Sequence, residues 1–131
     1  MTKKELKNLY YLKKEIKEQQ KRLEELESLA TNCTAKITGL PNGNGVSDKI
    51  ASYATEIADL KSLLDLNLKK CFYELNRLNR FICSIDDTFI RQIMVYRFEH
   101  HMSWRKIARM LGGNNKPESI RKSLYRYLKD N

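Results

Sequence analysis

The sequence predicts an all-α protein in which a long antiparallel coiled-coil helical hairpin is followed by several short C-terminal helices. The first observation is composition: the 131 residues are rich in Leu, Lys and Glu and include only 5 Gly and 2 Pro. Such a chain suits helices and has too few turn residues for a loop-rich β protein. The second is the recurrence of apolar residues every three or four positions through the first two thirds. The third is a set of helix caps and turn residues that divides the last third into short segments.

The first predicted helix runs from Lys3 to about Cys33, a stretch without Gly or Pro. Two apolar series, each with a spacing of seven, form the a and d positions of a heptad stripe: Leu9, Ile16, Leu23 and Ala30, then Leu12, Gln19, Leu26 and Cys33. Sustained heptads of this kind predict a coiled coil. Gln19 is a polar residue at a core position, and it is either a device that fixes the register or a tolerated defect.

A loop is predicted over about residues 33–47. Between Gly39 and Gly45 the sequence contains two Asn-Gly pairs and a Pro, which are strong turn signals. Ser47 is a plausible N-cap for the helix that follows.

The second predicted helix carries a longer apolar stripe: Ile50, Tyr53, Ile57, Leu60, Leu64, Leu68, Cys71, Leu75, Leu78 and Ile82. Two successive steps of four residues form a stutter, which locally unwinds a left-handed supercoil. Residues 1–83 are therefore predicted to form one hairpin domain. Two helices alone would leave part of the stripe in water, so the hairpin is expected to pack on the C-terminal part or on a second copy, with a dimer favoured. Its expected role is oligomerisation or partner binding.

Positive charge is concentrated near the C-terminal end. The chain has 25 Lys+Arg against 16 Asp+Glu, a formal net charge of +9. Residues 103–129 hold eight of the basic side chains and one acidic residue, Glu118, so this segment accounts for +7. The excess favours a polyanionic partner, most simply double-stranded DNA, over an ordinary solvated face.

Several other classes are not expected. No apolar run is long enough for a transmembrane helix, and the first residues lack the apolar region of a signal peptide. Cys33, Cys71 and Cys83 lack CxxC spacing and lie far from the adjacent pair His100 and His101, so neither a disulfide framework nor a zinc site is predicted. No nucleophile–base pair or phosphate-binding glycine loop is present, and we predict neither an enzyme nor a cofactor. The expected location is cytoplasmic.

Residues 84–131 are predicted to form a helix-turn-helix domain. Asp86 or Asp87 can cap a first short helix, and Ser103 can cap a second. Gly112-Gly113 ends that second helix, and Pro117 suits the first turn of the last one. Two short helices joined by a glycine-containing turn, the second with a basic outer face, are typical of a helix-turn-helix.

The last helix, about residues 117–129, is the predicted recognition helix and would lie in the major groove. The candidates for base or phosphate contact are Ser119, Arg121, Lys122 and Tyr125. The candidates for phosphate anchoring around the groove are Arg105, Lys106, Arg109 and Lys116. The DNA-binding set is completed by Asn115, Arg126 and Lys129.

Other polar and aromatic residues of this region are expected to be structural. Trp104, the only Trp, should lock the turn as a core residue. Arg97 should complement a helix C-terminus or pair with an acidic neighbour. His100 and His101 are expected in a solvated turn between helices.

The stretch Ile85–Gly112 resembles region 4 of sigma-70-type factors. The residues that match the pattern of that family are Arg91, Arg97, Ser103, Trp104, Ile107, Ala108, Leu111 and Gly112. The segment Glu118–Lys129 resembles the recognition helix of the same family. The turn between Leu111 and Ile120 is longer than in the sigma pattern, so recognition of a −35 promoter element is not expected to transfer.

The longer turn, together with the Lys- and Leu-rich N-terminal half, is similar to phage transcriptional regulators of the RinA/ArpU-type late-gene activator group and their prophage relatives. This resemblance implies a sequence-specific DNA-binding activator of phage late genes, associated with the nucleoid of a bacterial host. Two alternatives stay open. One is a DNA-packaging component like a small terminase subunit, and the other is a sigma-like module that contacts host RNA polymerase.

Overall fold

The computed structural model describes residues 1–37 and 44–130, and the side chains of 1–32 and 48–130. Every regular element of the described residues is helical, so the all-α prediction is confirmed. The elements are α1 (Lys3–Ile37), α2 (Asn44–Ser84), α3 (Thr88–Met94), a π-helical turn (Val95–Glu99), α4 (Trp104–Leu111) and α5 (Pro117–Asp130).

The two long helices extend into the predicted loop from both sides. Helix α1 continues to Ile37 and α2 begins at Asn44, so residues 33–37 and 44–47 are helical and the prediction of a loop over 33–47 is wrong at its ends. Gly45 is tolerated in α2 because it lies in the first turn, where the low helix propensity of glycine costs less than in the interior of a helix. Ser47 is inside the helix and is not its N-cap. Residues 38–43 lie outside the described part.

The described contacts divide the chain into two compact units. One unit, here called the C-terminal unit, combines Met1–Leu12 with Cys71–Asn131, and the other, the middle unit, is Lys13–Lys70. This division differs from the predicted domain boundary between residues 83 and 84. The beginning of α1 and the end of α2 belong to the same unit as the short helices. The roles assigned to the two predicted domains stay predictions.

Few apolar side chains are buried in the described part of the middle unit. Among the side chains described there, Ile16, Leu26 and Leu64 are buried. Four of its leucines are 41–63% exposed: Leu29, Leu63, Leu66 and Leu68. Of these four, only Leu68 belongs to a predicted apolar stripe, so most of the exposed leucines lie outside the stripes.

Polar contacts join α1 and α2 within the middle unit. The Nδ2 of Asn67 donates a hydrogen bond of 3.1 Å to Oε1 of Gln19. Gln19 is half-buried, and this amide pair gives the polar position in the apolar stripe a specific partner. Two ion pairs also cross between the helices, from Arg22 to Glu56 at 3.8 Å and from Lys61 to Glu27 at 3.5 Å.

The C-terminal unit has the larger core. Helix α5 packs against both α3 and α4, and the π-helical turn packs against α3 and α4. The fully buried large side chains of this unit are Leu6, Leu9, Leu78, Ile85, Ile93, Met94, Ile107, Ile120 and Leu124. The beginning of α1 thus contributes to the same core as the short helices.

A capping box begins α1. The Oγ1 of Thr2 accepts a 3.2 Å hydrogen bond from the Glu5 amide, and Oε2 of Glu5 accepts one of 2.7 Å from the Thr2 amide. The other carboxylate oxygen of Glu5 accepts a 3.1 Å hydrogen bond from Nη2 of Arg77, which also pairs with Glu74. The Thr2 amide, with help from Arg77, lowers the pKa of Glu5 from 4.5 to about 2. This network fixes the first turn of α1 to α2.

Candidate nucleic-acid interface

Helix α3 begins at a side-chain cap. Oδ1 of Asp87 accepts hydrogen bonds from the amides of Phe89 at 2.9 Å and Ile90 at 3.3 Å, so Asp87 rather than Asp86 is the N-cap. The guanidinium of Arg91 donates to the carbonyl of Ile85, which ties α3 to the end of α2. These bonds set the direction in which the short helices leave α2.

A π-helical turn, Val95–Glu99, follows α3 and was not predicted from the sequence. It is closed by a 3.1 Å hydrogen bond from the His100 amide to the Val95 carbonyl, which spans five residues. The turn buries Phe98, and Nη1 of Arg97 donates a 2.9 Å hydrogen bond to the Met102 carbonyl. The segment between α3 and α4 is held by these contacts.

Arg97 lies between two aromatic rings. Its Cζ is 4.5 Å from the centre of the Tyr10 ring and 4.7 Å from that of Trp104. A guanidinium in this arrangement gains cation–π attraction from both faces. These contacts give Arg97 a structural role through aromatic rings of α1 and α4, whereas the expected partners were a helix C-terminus or an acidic neighbour.

His101 is packed on a ring, and its expected place in a solvated turn is wrong. Its ring stacks on Tyr10 with centroids 4.3 Å apart, and its backbone has a positive φ of 54°. The sequence signal misleads because Tyr10, which is distant in sequence, covers this residue. His100 is exposed, as expected.

Helix α4 separates an apolar face from a basic one. Oγ of Ser103 accepts a hydrogen bond of 3.2 Å from the Lys106 amide, which confirms the predicted N-cap. Ile107 and Ala108 are buried, and α4 as a whole packs against α5. The exposed face carries three of the predicted phosphate anchors: Arg105, Lys106 and Arg109.

The turn between α4 and α5 depends on glycine. Gly112 has φ 69° and ψ −170°, a region that is essentially restricted to glycine, and its amide donates to the Ala108 carbonyl at 3.2 Å. Gly113 also has a positive φ, of 67°. The Nδ2 of Asn115 donates a 2.9 Å hydrogen bond to the Gly112 carbonyl, so this predicted DNA contact also braces the turn. Lys116 is exposed.

Helix α5 begins at Pro117, as predicted. Ile120 and Leu124 are buried, and Leu128 is half-buried. The opposite face is exposed and carries four predicted contacts: Ser119, Lys122, Arg126 and Lys129. The last three have the spacing of one helix face.

Two predicted contacts lie at the edge of that exposed face. Arg121 is half-buried, and its Nη2 pairs with Oε2 of Glu118 at 2.8 Å. Tyr125 is also half-buried, with its ring 6.2 Å from that of Trp104 in an edge-on arrangement and with Nζ of Lys3 at 3.9 Å from its centre. Both side chains already have protein partners.

The remaining basic side chains of residues 103–129 are all exposed, and we call this set the basic face: Arg105, Lys106, Arg109, Lys116, Lys122, Arg126 and Lys129. Within the described residues, none of these seven forms an ion pair with a carboxylate. A face of one sign without counter-charges produces a positive potential that attracts a polyanion.

No other chemistry is evident in the described residues. They contain no cluster of His, Cys, Asp or Glu that could hold a metal ion. No helix in the described ranges has both the length and the apolar character needed to cross a membrane. Cys71 is buried and Cys83 is exposed, and neither is in a disulfide.

The sequence predictions missed the contribution of α1 to this region. Thr2 and Glu5 have the spacing of a capping box, and this signal could have shown that α1 starts with a fixed first turn. No comparable local signal marks Lys3 as a partner of α5, or Tyr10 as a partner of Arg97 and His101, because those contacts join residues far apart in sequence.

Comparison of the chain with protein-family models, with curated proteins and with solved structures finds no match in any of the three. The function is therefore inferred from the side chains and their arrangement. Resemblance to sigma region 4 and to phage late-gene activators stays a prediction from the sequence.

Proposed function

We propose that this protein is a sequence-specific double-stranded-DNA-binding transcriptional regulator, of the phage late-gene activator kind. In this proposal α4, the glycine turn and α5 are a helix-turn-helix, and α5 is the recognition helix in the major groove. The observation that carries it is the basic face, whose seven exposed cations have no ion-pair partner among the described residues.

Unpaired surface cations suit phosphate binding. A cation already paired with a carboxylate must give up that partner, whereas an unpaired one only releases the counterions of the DNA. Lys122, Arg126 and Lys129 follow one side of α5, and Arg105 and Arg109 extend the charge onto α4. Cations on two successive helices can contact the backbone on both sides of a groove that holds α5.

Arg121 is the best candidate for reading a base. It lies in the first half of α5, where side chains of a recognition helix reach base edges. Its present partner, Glu118, is exposed, and such a surface ion pair contributes little. A guanine that offers two acceptors to the guanidinium would therefore replace the carboxylate at small cost.

The proposal includes a coiled-coil hairpin that dimerises. Gln19 of α1 contacts Asn67 of α2, whereas the later Glu27 contacts the earlier Lys61. The partner in α2 therefore moves back along the chain as α1 advances, which favours an antiparallel arrangement. The exposed Leu63 gives α2 an apolar position that a second copy would cover. A dimer would present two α5 helices to paired half-sites.

The first test compares two charge-matched double variants on a duplex selected from random DNA. Lys122→Ala with Arg126→Ala removes two members of the basic face, and Lys61→Ala with Lys69→Ala removes two cations that are paired with carboxylates on α1 and α2. We expect the first variant to bind about tenfold or more weakly and the second to bind like the wild type. Equal affinities of the two variants would reject the basic face as the DNA-binding surface.

A second test separates base reading from phosphate binding. Arg121→Ala should lose about 1–3 kcal/mol of discrimination between the selected site and a mutated site if that side chain reads a guanine. Lys106→Ala should weaken binding to all duplexes roughly equally. If both variants bind the selected duplex as tightly as the wild type, these residues do not face DNA.

A further inference from the structure

A groove lies where the first turns of α1 meet the C-terminal half of α5. It has a volume of about 590 Å³. Its lining side chains are Lys3, Tyr125, Arg126, Leu128 and Lys129. Two of them, Arg126 and Lys129, also belong to the basic face, so the groove continues that surface beyond α5.

The ring of Tyr125 in this groove makes cation–π contacts with two lysines of α1. Nζ of Lys3 is 3.9 Å from the centre of the Tyr125 ring, and Nζ of Lys7, one helical turn later, is 5.9 Å away. The ring itself is fixed edge-on against Trp104. A cation–π contact positions an ammonium group without neutralising it, unlike an ion pair with a carboxylate. Both lysines therefore keep their charge available to an anion.

Glu5 does not neutralise the lysines that α1 contributes to the groove, because its carboxylate has other partners. None of the described lining residues is acidic. Glu5, which lies between the two lysines in sequence, is engaged by Thr2 and Arg77 instead. Four cations (Lys3, Lys7, Arg126 and Lys129) thus lie in or beside the groove.

We propose that this groove of the protein binds the phosphate backbone next to the major groove of the DNA. Lys3 and Lys7 are the phosphate contacts that α1 supplies. The inference rests on the proposed function, and it adds α1 to the surface of α4 and α5 that is proposed to bind DNA. A lysine ammonium is a point charge that suits phosphate oxygens and does not distinguish bases. The contribution of this groove is therefore to affinity, and sequence discrimination is left to the first half of α5.

The test measures the salt dependence of binding for Lys3→Ala with Lys7→Ala. The control is Lys14→Ala with Lys17→Ala, two exposed lysines of the same helix in the middle unit. Affinity for the selected duplex and for an unrelated duplex is measured between about 50 and 200 mM salt. We expect the first variant to lower the slope of log affinity against log salt by about 2, and to bind both duplexes about tenfold more weakly. The control should keep the wild-type slope.

Three further results decide the outcome. Restoration of the slope by Lys3→Arg with Lys7→Arg supports phosphate contact, because the charge returns. Weaker binding with an unchanged slope overturns the inference, since the lysines would then only position α5. An unchanged slope and affinity also overturn it. In that case the double variant Lys122→Ala with Arg126→Ala distinguishes the two proposals. If this variant binds DNA weakly, the proposed function stands, and if it binds like the wild type, both proposals fail.

Discussion

The middle unit and the C-terminal unit use charge in different ways. In the middle unit, basic side chains such as Arg22, Lys61 and Lys69 form ion pairs with carboxylates of the same two helices. On α4, α5 and the turn between them, seven exposed cations have no such partner within the described residues. Paired charges largely cancel each other's field, whereas unpaired ones add to a potential that acts on a partner. The middle unit also has exposed lysines outside these ion pairs, such as Lys14 and Lys17, but its ten basic residues are offset by nine acidic ones, whereas residues 103–129 hold eight basic residues and one acidic residue. The local balance of charge, together with the ion pairs, therefore indicates where a polyanion binds.

The two units also differ in how far their apolar side chains are buried. The C-terminal unit encloses large residues such as Ile107 and Leu124, with at most 1% of their surface exposed. The middle unit leaves Leu63 and Leu66 at 46% and 63% exposure. The C-terminal unit thus has a well-covered core, although it also exposes apolar side chains such as Phe72 and Met110. In the described part of the middle unit, the exposed leucines outnumber the buried apolar residues, which leaves apolar surface that a second copy can cover.

The largest expected effect tests this contrast with the same substitution in both units. Leu124→Ala should lower the free energy of unfolding by about 2–5 kcal/mol, because it removes buried methyl groups and leaves a cavity. Leu66→Ala should cost about 0.5 kcal/mol or less, since that side chain is mostly in water. Urea unfolding at low protein concentration measures both. Equal losses would show that the middle unit has a covered core in solution.

The turn between α4 and α5 gives the next effect. Gly112→Ala should destabilise the protein by about 1–3 kcal/mol, because alanine is strained at φ 69° and ψ −170°. No atom lies within 4 Å of the added Cβ, so the cost comes from the backbone and not from a clash. The matched control is Asn114→Ala in the same exposed turn, which should be nearly neutral. A thermal unfolding midpoint for Gly112→Ala equal to that of the control would contradict the role given to glycine.

A smaller effect concerns the one acidic residue at the start of α5. Glu118→Gln should lower stability by about 0.5 kcal/mol, because it removes a favourable charge near the helix N-terminus and the ion pair with Arg121. It should also tighten DNA binding, since a negative charge is removed and Arg121 is released. Asp59→Asn in the middle unit should leave DNA affinity unchanged. Weaker binding by the Glu118 variant would mean that the ion pair orients Arg121 for recognition.

The smallest expected effect is a pH dependence from Glu5. Its pKa is lowered in the folded protein from 4.5 to about 2, so its carboxylate stabilises the fold above pH 4.5, and this contribution is lost as the pH falls towards 2. Solvent screening reduces the effect, because the Glu5 side chain is 38% exposed. Glu5→Gln should flatten the curve of stability against pH between these values, as measured by urea unfolding. A variant curve parallel to that of the wild type over this range would exclude Glu5 as its source.

Features that depend on neighbouring residues were predictable from the sequence. The Asp87 and Ser103 caps, the glycine end of α4 and the start of α5 at Pro117 all depend on bonds within a few residues. Helical spacing also predicted the exposed positions of α5, because burial of Ile120 fixes which side of that helix faces outward.

Features that depend on distant residues were not predictable. The ring of Tyr10 covers Arg97 and His101, and Lys3 covers Tyr125, across most of the length of the chain. No periodicity or cap signals such pairs, so His101 was expected in solvent and Tyr125 was expected to be available to DNA. The predicted ends of the loop over 33–47 were wrong for another reason. A glycine near a helix terminus weakens the helix only slightly, so turn composition alone does not locate the boundary.

The π-helical turn, Val95–Glu99, has a consequence for how this chain can be altered. A π turn contains one residue more than an α turn, so the residues after it are shifted by one place relative to a continuous α-helix. A deletion of one residue in this segment would allow regular α-helical bonding, but it would rotate Arg97 by roughly 100° away from its two rings. Relatives that lack the extra residue would therefore need a different side chain between α1 and α4, and an alignment would show a one-residue gap at this turn.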